Sequence, residues 1–540
     1  MNATQRVPRA DAPGEPERLH LDIRATLMPG FTGHTVPAWI EGALGEGLIS
    51  VCVYGDNVRD ARQLRELGEA LRRTRSDALI AIDEEGGEVT RLHYRSGAPY
   101  PGAAVLGRID DEAYTERVGA AVARDVLASG FNLVLGPDAD VNSNPANPVI
   151  GTRSFGADPD LAARHVAAWV RGAQAAGVAA CPKHFPGHGD TAQDSHLALP
   201  AVDAPSELIE RRDLPPFRAA VEAGARAVMT SHILLPQIDA EAPATFSPAI
   251  LQGMLRGGLG FSGAIVTDAL DMAGASGESG IPEAAVRALA AGCDLLCIGI
   301  GTTPGQLREI EDRIAAAVSE GRLPETRVRE AAARVRELAA ALAGAAAANA
   351  ALAGDAPAGA AQPGPAAAST APVPSAPWGG TEELARIVAS FDGVEPARRW
   401  LGEHPRAAVL RVEAEANMAV GAVPWGPFAA AVHAKTGESG AAARFLARPG
   451  TSTDEVSPMP WTLGLPADAS SRGVIVIGRD LHRHEFAHDG IESLHDEGVP
   501  TLVVEMGWPD AERGLADVAT HGASRLVGEA LLALIEGPGL

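Results

Sequence analysis

Cysteine is scarce: four residues in 540, Cys52, Cys181, Cys293 and Cys297, each set in an apolar run. That number and scatter exclude a disulfide framework, and small buried thiols in a reducing compartment are expected. Basic side chains are in deficit too, 45 against 69 acidic ones, for a formal charge of −24. A field of that sign repels nucleic acid and anionic membranes, so a neutral or locally recognised substrate is expected, with no nucleic-acid or membrane partner. No apolar run reaches the roughly 18 residues of a membrane span. The N-terminal stretch, with Arg6, Arg9 and Asp11 among prolines, has no apolar core of a secretion signal, so a cytoplasmic location is expected. What is present is a globular balance, 46% apolar and 21% charged, in a chain long enough for two to four domains.

From residue 20 to about 342, short β-rich runs alternate with stretches of helical period. Strands are expected at 23–30, 48–54, 78–83, 131–140, 178–184, 226–232, 263–269 and 293–299. Such βα repetition fits a (β/α)8 TIM-type barrel better than an open doubly wound sheet, although strand number alone does not separate the two. The expected organisation is a flexible N-terminus over 1–19, a catalytic barrel over 20–343 and an Ala/Pro/Gly-rich linker over 344–377. A smaller α/β domain, an αβα sandwich over 378–540, follows with strands at 407–414, 474–481 and 501–507.

In a barrel, chemistry gathers at the C-terminal ends of the strands. Three of these ends are polar: Asp83-Glu84-Glu85-Gly86-Gly87-Glu88-Val89-Thr90-Arg91, the loop KHFPGHGDTAQDSH from Lys183 to His196, and Val266-Thr267-Asp268. Glycine and proline make the second a tight loop able to carry side chains over the barrel mouth. Asp194 and His196 lie two apart, close enough for the carboxylate to hold one ring nitrogen and favour the protonated imidazole, a tunable acid/base. A metal site is the weaker alternative for these histidines, because no helix-borne His-x-x-x-His or His-Glu-x-x-His spacing is present. Asp268 taken alone could equally be a helix cap at a βα junction.

Taken together and in order, DEEGGEVTR, GTRSFG (151–156), KHFPGHGDTAQDSH and VTDALDM (266–272) resemble glycoside hydrolase family 3, in its β-N-acetylglucosaminidase (NagZ-like) branch. The resemblance spans about 20–340 and implies a retaining, double-displacement enzyme. It makes Asp268 the nucleophile and His196 the acid/base, oriented by Asp194, in place of the second carboxylate of most retaining glycosidases. Asp83, Arg91, Arg153, Lys183 and His184 match positions that hold the hydroxyls of the terminal sugar or support those that do. Glu84, Glu85 and Glu88 read better as ion-pair partners at the barrel mouth, His188 and Asp190 as loop-ordering groups, and His232 as a satisfied histidine at the rim or a pocket-lining one. The implied substrate carries a terminal β-linked N-acetylglucosamine, as in cell-wall muropeptides, and no metal or organic cofactor is required.

A phosphorylase using the same glycosyl-enzyme, or a sugar-binding barrel without turnover, are the competing functions. The C-terminal domain resembles, more loosely, the αβα companion of two-domain members. His484 and His488 have helical i, i+4 spacing, but with Arg483 they read as a solvated loop entering a helix. The domain is expected to pack beside the barrel or support a homodimer.

Overall fold

The computed structural model describes residues 15–192, 199–354, 378–414, 417–429, 445–447, 469–510 and 513–537. In its first part the described strands are β1 Leu27–Pro29, β2 Ser50–Val53, β3 Leu79–Ile82, β4 Leu133–Val134, β5 Ala179–Ala180, β6 Ala227–Met229, β7 Ala264–Val266 and β8 Leu296–Gly299. Parallel ladders join β2 through β5 in order, β6 to β7, and β8 to β1. Backbone bonds carry the sheet across the intervals: Met229 N–H donates to Pro182 O at 3.0 Å, and Thr267 N–H to Leu295 O at 3.0 Å. β1 and β2 are neighbours in space, which completes the circuit of the (β/α)8 fold.

The alternation of side chains along these strands separates two environments. Cys52, Ala81, Leu133, Cys181, Met229, Val266 and Cys297 belong to one interior cluster, while Val51, Val53, Ile80, Ile82, Val228, Ile265 and Ile298 pack in the layer shared with the helices. Ala332, Val335, Leu338, Ala339 and Leu342 of the helix Glu325–Gly354 join the interior cluster. All four cysteines are buried and free.

Most strands are shorter than the runs read from sequence, and three differences have a definite physical cause. Residues 23–25 end the helix Glu15–Ala25 instead of opening β1, and that helix begins inside the stretch read as a flexible terminus. The helix Glu325–Gly354 continues into the stretch read as linker, because its alanine-rich sequence keeps a high helical propensity to the first clustered prolines; residues 355–377 lie outside the described ones. Only 133–134 of the run 131–140 form a regular ladder, since Pro137 has no N–H to donate. The chain still continues alongside its neighbours, with Leu135 N–H on Ile82 O at 2.9 Å and Cys181 N–H on Gly136 O at 2.9 Å.

The second part is a parallel sheet in the order β10-β9-β11-β12-β13, comprising β9 Ala408–Arg411, β10 Phe445–Ala447, β11 Val474–Gly478, β12 Thr501–Glu505 and β13 Val518–Ala519. Val409, Ile475, Ile477 and Val504 on one face meet the helices Thr381–Ala389 and Arg525–Glu536; Leu410, Val474, Val476 and Val503 on the other meet Glu485–Asp496. This is the expected αβα sandwich. It docks on the barrel through Trp378, which lies edge-on to Tyr100 with ring centroids 5.3 Å apart, and through the Tyr114 hydroxyl, which donates to Glu383 at 2.7 Å. The ion pair Arg386–Asp111 at 2.7 Å adds to the joint. Among the described residues no helix is long and apolar enough to cross a membrane.

Candidate active site

The polar ends of β3, β5 and β7 converge on a cavity of about 370 Å³, within the range of small-molecule sites. Asp83, Arg91, Arg153, Lys183, His184 and Asp268, all singled out from sequence, line it. Lys183 is the hub. Its Nζ donates to Asp83 Oδ1 at 2.6 Å and lies 2.9 Å from Glu85 Oε1, and Glu85 in turn takes a bidentate pair from Arg153 at 2.8 and 3.0 Å. Burial alone would push Asp83 and Glu85 toward the neutral form, but Lys183 with Arg91 for the first, and Arg153 with Lys183 for the second, hold both below the usual carboxylate range. Burial works against the Lys183 ammonium as well, and the two carboxylates raise it above an ordinary lysine. The result is a buried array of fixed charges in which each ion has a partner.

His184 is held from behind: its Nδ1 lies 2.7 Å from Asp140 Oδ2, and its Nε2 is 3.4 Å from Arg153 Nη2. Asp140 also accepts the His188 backbone N–H at 2.6 Å. His188 itself lines the cavity, with the Thr191 hydroxyl 2.8 Å from its Nδ1. Burial, and then the neighbouring His184, lower the His188 imidazole to about 4, so it stands neutral in the site at pH 7. Asp268 follows β7 and accepts the Ala269 N–H at 2.7 Å; the first helix after it starts only at Ala273, so it caps none. Asp268 lines the same cavity as His184 and His188.

The remaining sequence candidates fall as follows. Asp194 and His196 lie outside the described residues. The loop that leads to them is anchored by Asn147 Nδ2, which donates to His188 O at 2.9 Å, and by the pair Arg212–Asp190 at 2.8 Å. Glu84 accepts from the Thr90 hydroxyl at 2.8 Å, and Glu88 accepts from the Thr152 hydroxyl at 2.6 Å and faces Arg479 at 3.5 Å. His232 is buried, bonded to Thr245 Oγ1 at 2.9 Å and Ala269 O at 3.1 Å, and is not part of the cavity lining. His484 precedes the helix Glu485–Asp496, and His488 groups with Asp489 and Glu492 on its exposed side. Asp138, Asp140 and His184 are close enough to share an ion, but Arg153 lies 3.6 Å from Asp138 and His184 is already bonded to Asp140. That set reads as a hydrogen-bonded support for the histidine.

Part of the wall was not foreseen. Met418, Ala419 and Gly421, from the C-terminal domain, line the cavity with Tyr54 and Tyr94. Arg91, read as a sugar contact, spends two donors on this segment: Nη2 to Ala419 O at 2.7 Å and Nη1 to Val420 O at 3.1 Å, with Asp83 3.9 Å away. No local pattern marks residues 417–421 as functional, because only the docking of one domain on the other brings them to the barrel mouth.

The profile of the Glycosyl hydrolase family 3 N terminal domain matches residues 35–338. The chain belongs to glycosyl hydrolase family 3. Within that family it is 33% identical over 353 residues to the beta-hexosaminidase A of Pseudoalteromonas piscicida, covering 60% of this chain and 58% of that protein. It is 40% identical over 243 residues to the beta-hexosaminidase of Pseudomonas aeruginosa, covering 45% of this chain and 72% of that one. The solved structure of a glycoside hydrolase family 3 beta-N-acetylglucosaminidase from a Paenibacillus species matches with a TM-score of 0.77 at 27% identity, covering 96% of both chains. That match takes in the C-terminal domain as well as the family 3 barrel.

Proposed function

We propose that this family 3 protein is a retaining β-N-acetylhexosaminidase that releases terminal β-linked N-acetylglucosamine. The observation that carries the reading is the position of Asp268 in the wall of a cavity whose other walls present Asp83, Lys183 and His184. Fixed, fully paired charges are suited to hydroxyl recognition, since charge-assisted hydrogen bonds to a neutral pyranose set its orientation without a net ionic partner. A carboxylate beside the sugar can then attack C1. In the first displacement an Asp268 oxygen bonds to C1 as the C1–O bond to the leaving group breaks, and protonated His196 gives its proton to the departing oxygen. In the second, His196 takes a proton from water, the water oxygen bonds to C1, and Asp268 is released with its charge restored. Asp194 holds the imidazole and stabilises its charged form. Cell-wall muropeptides bearing terminal N-acetylglucosamine, met in the cytoplasm, are the proposed substrates.

The reading is tested with an aryl β-N-acetylglucosaminide followed by NMR. The β-anomer of free N-acetylglucosamine is the expected first product, also in the presence of phosphate, and Asp268→Ala is expected to remove turnover by at least about a thousandfold. An initial α-product, N-acetylglucosamine 1-phosphate, or undiminished turnover in the variant would overturn it.

A further inference from the structure

The segment that the C-terminal domain places in the cavity wall is fixed on both sides of one residue. Asn417 Nδ2 donates to Pro148 O at 2.9 Å and to Val149 O at 3.1 Å, tying the start of the segment to the barrel loop after β4. The carbonyls of Ala419 and Val420 are taken by Arg91. Val420 and Val423 pack with Val89 in a small apolar cluster that also touches Tyr94. Gly421 has φ +71°, and a Cβ there would stand 3.1 Å from the Tyr94 hydroxyl, so this close approach calls for glycine.

Met418, between these anchors, is different. It lines the cavity yet is 57% exposed, and with Leu199 it makes up the large apolar side chains left exposed among the described residues. Lys183, Asp83 and His184 are buried or nearly so, which puts the hydroxyl-holding groups at the floor and Met418 at the mouth. A terminal sugar seated on that floor directs whatever is attached to its C1 outward past the mouth.

Resting on the activity proposed above, we propose that Met418 is the residue through which the C-terminal domain reads the leaving group. It favours leaving groups that present an apolar face, the C–H face of a second pyranose or an aryl ring, over small alkyl alcohols. The reasons are physical. An unbranched thioether adapts to an irregular apolar surface and makes favourable contacts with rings, and covering an exposed methionine removes apolar area from water. Because the backbone on either side is already pinned, the contact orders only the methionine's own side-chain rotamers.

The test compares kcat/KM of the full-length protein for two glycosides with the same terminal N-acetylglucosamine, one carrying a second N-acetylglucosamine and one a methyl group. For Met418→Ala the ratio of the two is expected to fall roughly tenfold, chiefly through KM of the larger substrate, and Met418→Leu is expected to restore most of it. Equal losses on both substrates, or no loss on either, would overturn the role of Met418 and leave the hydrolase reading standing. A wild-type protein inactive on both glycosides would overturn the two together.

Discussion

Lys183 and His188 show how the same depth of burial gives opposite charge states. Lys183 lies against two carboxylates and stays an ammonium; His188 has His184 beside it and gives up its proton. This sets a pH dependence with a definite sign. The folded imidazole titrates at about 4 and the ordinary one at 6.5. The unfolded chain therefore binds the proton first, and the stability that neutral burial supplies is fully present above about 6.5 and is lost as pH falls toward 4. Its size, from the same shift, is about 3 kcal/mol. Urea unfolding at pH 7, 5.5 and 4 is expected to show a steeper fall in stability for the wild type than for His188→Gln. Parallel curves would show that His188 is not held neutral.

Helix packing around the barrel depends on glycine where backbones nearly touch. The helices Glu112–Ala128 and Pro159–Ala175 cross at Gly119 and Gly172; a Cβ on Gly172 would come within 2.0 Å of Glu116 O, and one on Gly119 within 2.5 Å of Trp169 O. Neither obstacle is the end of a flexible side chain, so the helices would have to separate. Gly172→Ala is expected to lower stability by roughly 1–3 kcal/mol despite alanine's higher helix propensity, read as a lower urea midpoint at unchanged m-value. A rise in the midpoint would mean that propensity outweighs the close approach.

The barrel strands were legible because apolar runs of a few residues recur between helical periods and end in polar residues. Asp83, Lys183 and Asp268 were findable for the same reason, each standing directly after such a run. β10 and β13 are not legible because polar residues interrupt them, Arg444 and Arg448 around the first and Asp517 before the second, whereas the equally short β4 and β5 sit inside longer apolar runs. The end of the helix Glu15–Ala25 reads as strand in the sequence because the apolar Ile23 and Ala25 lead on to Leu27 and Met28. Arg91 could be picked out as important, but its bond to the carbonyls of residues 419 and 420 could not, since it joins positions more than three hundred apart in the chain.

The two domains of this family 3 protein together make the cavity. The barrel provides the floor and the C-terminal sandwich part of the rim, and the joint between them is tied at Trp378, Glu383, Arg386, Asn417 and Arg483, the last donating to Asn147 O at 2.6 Å. The second domain, read from sequence as a packing or dimerisation module, thus also lines the candidate active-site cavity. The proposed mechanism requires a covalent bond between Asp268 and the anomeric carbon. Incubation with a fluorinated N-acetylglucosaminyl donor, followed by intact-mass measurement and peptide mapping, tests it most directly. The expected result is one added glycosyl group, mapped to Asp268 and absent from Asp268→Ala; a label on any other side chain, or an unlabelled protein that nonetheless consumes the donor, would contradict it.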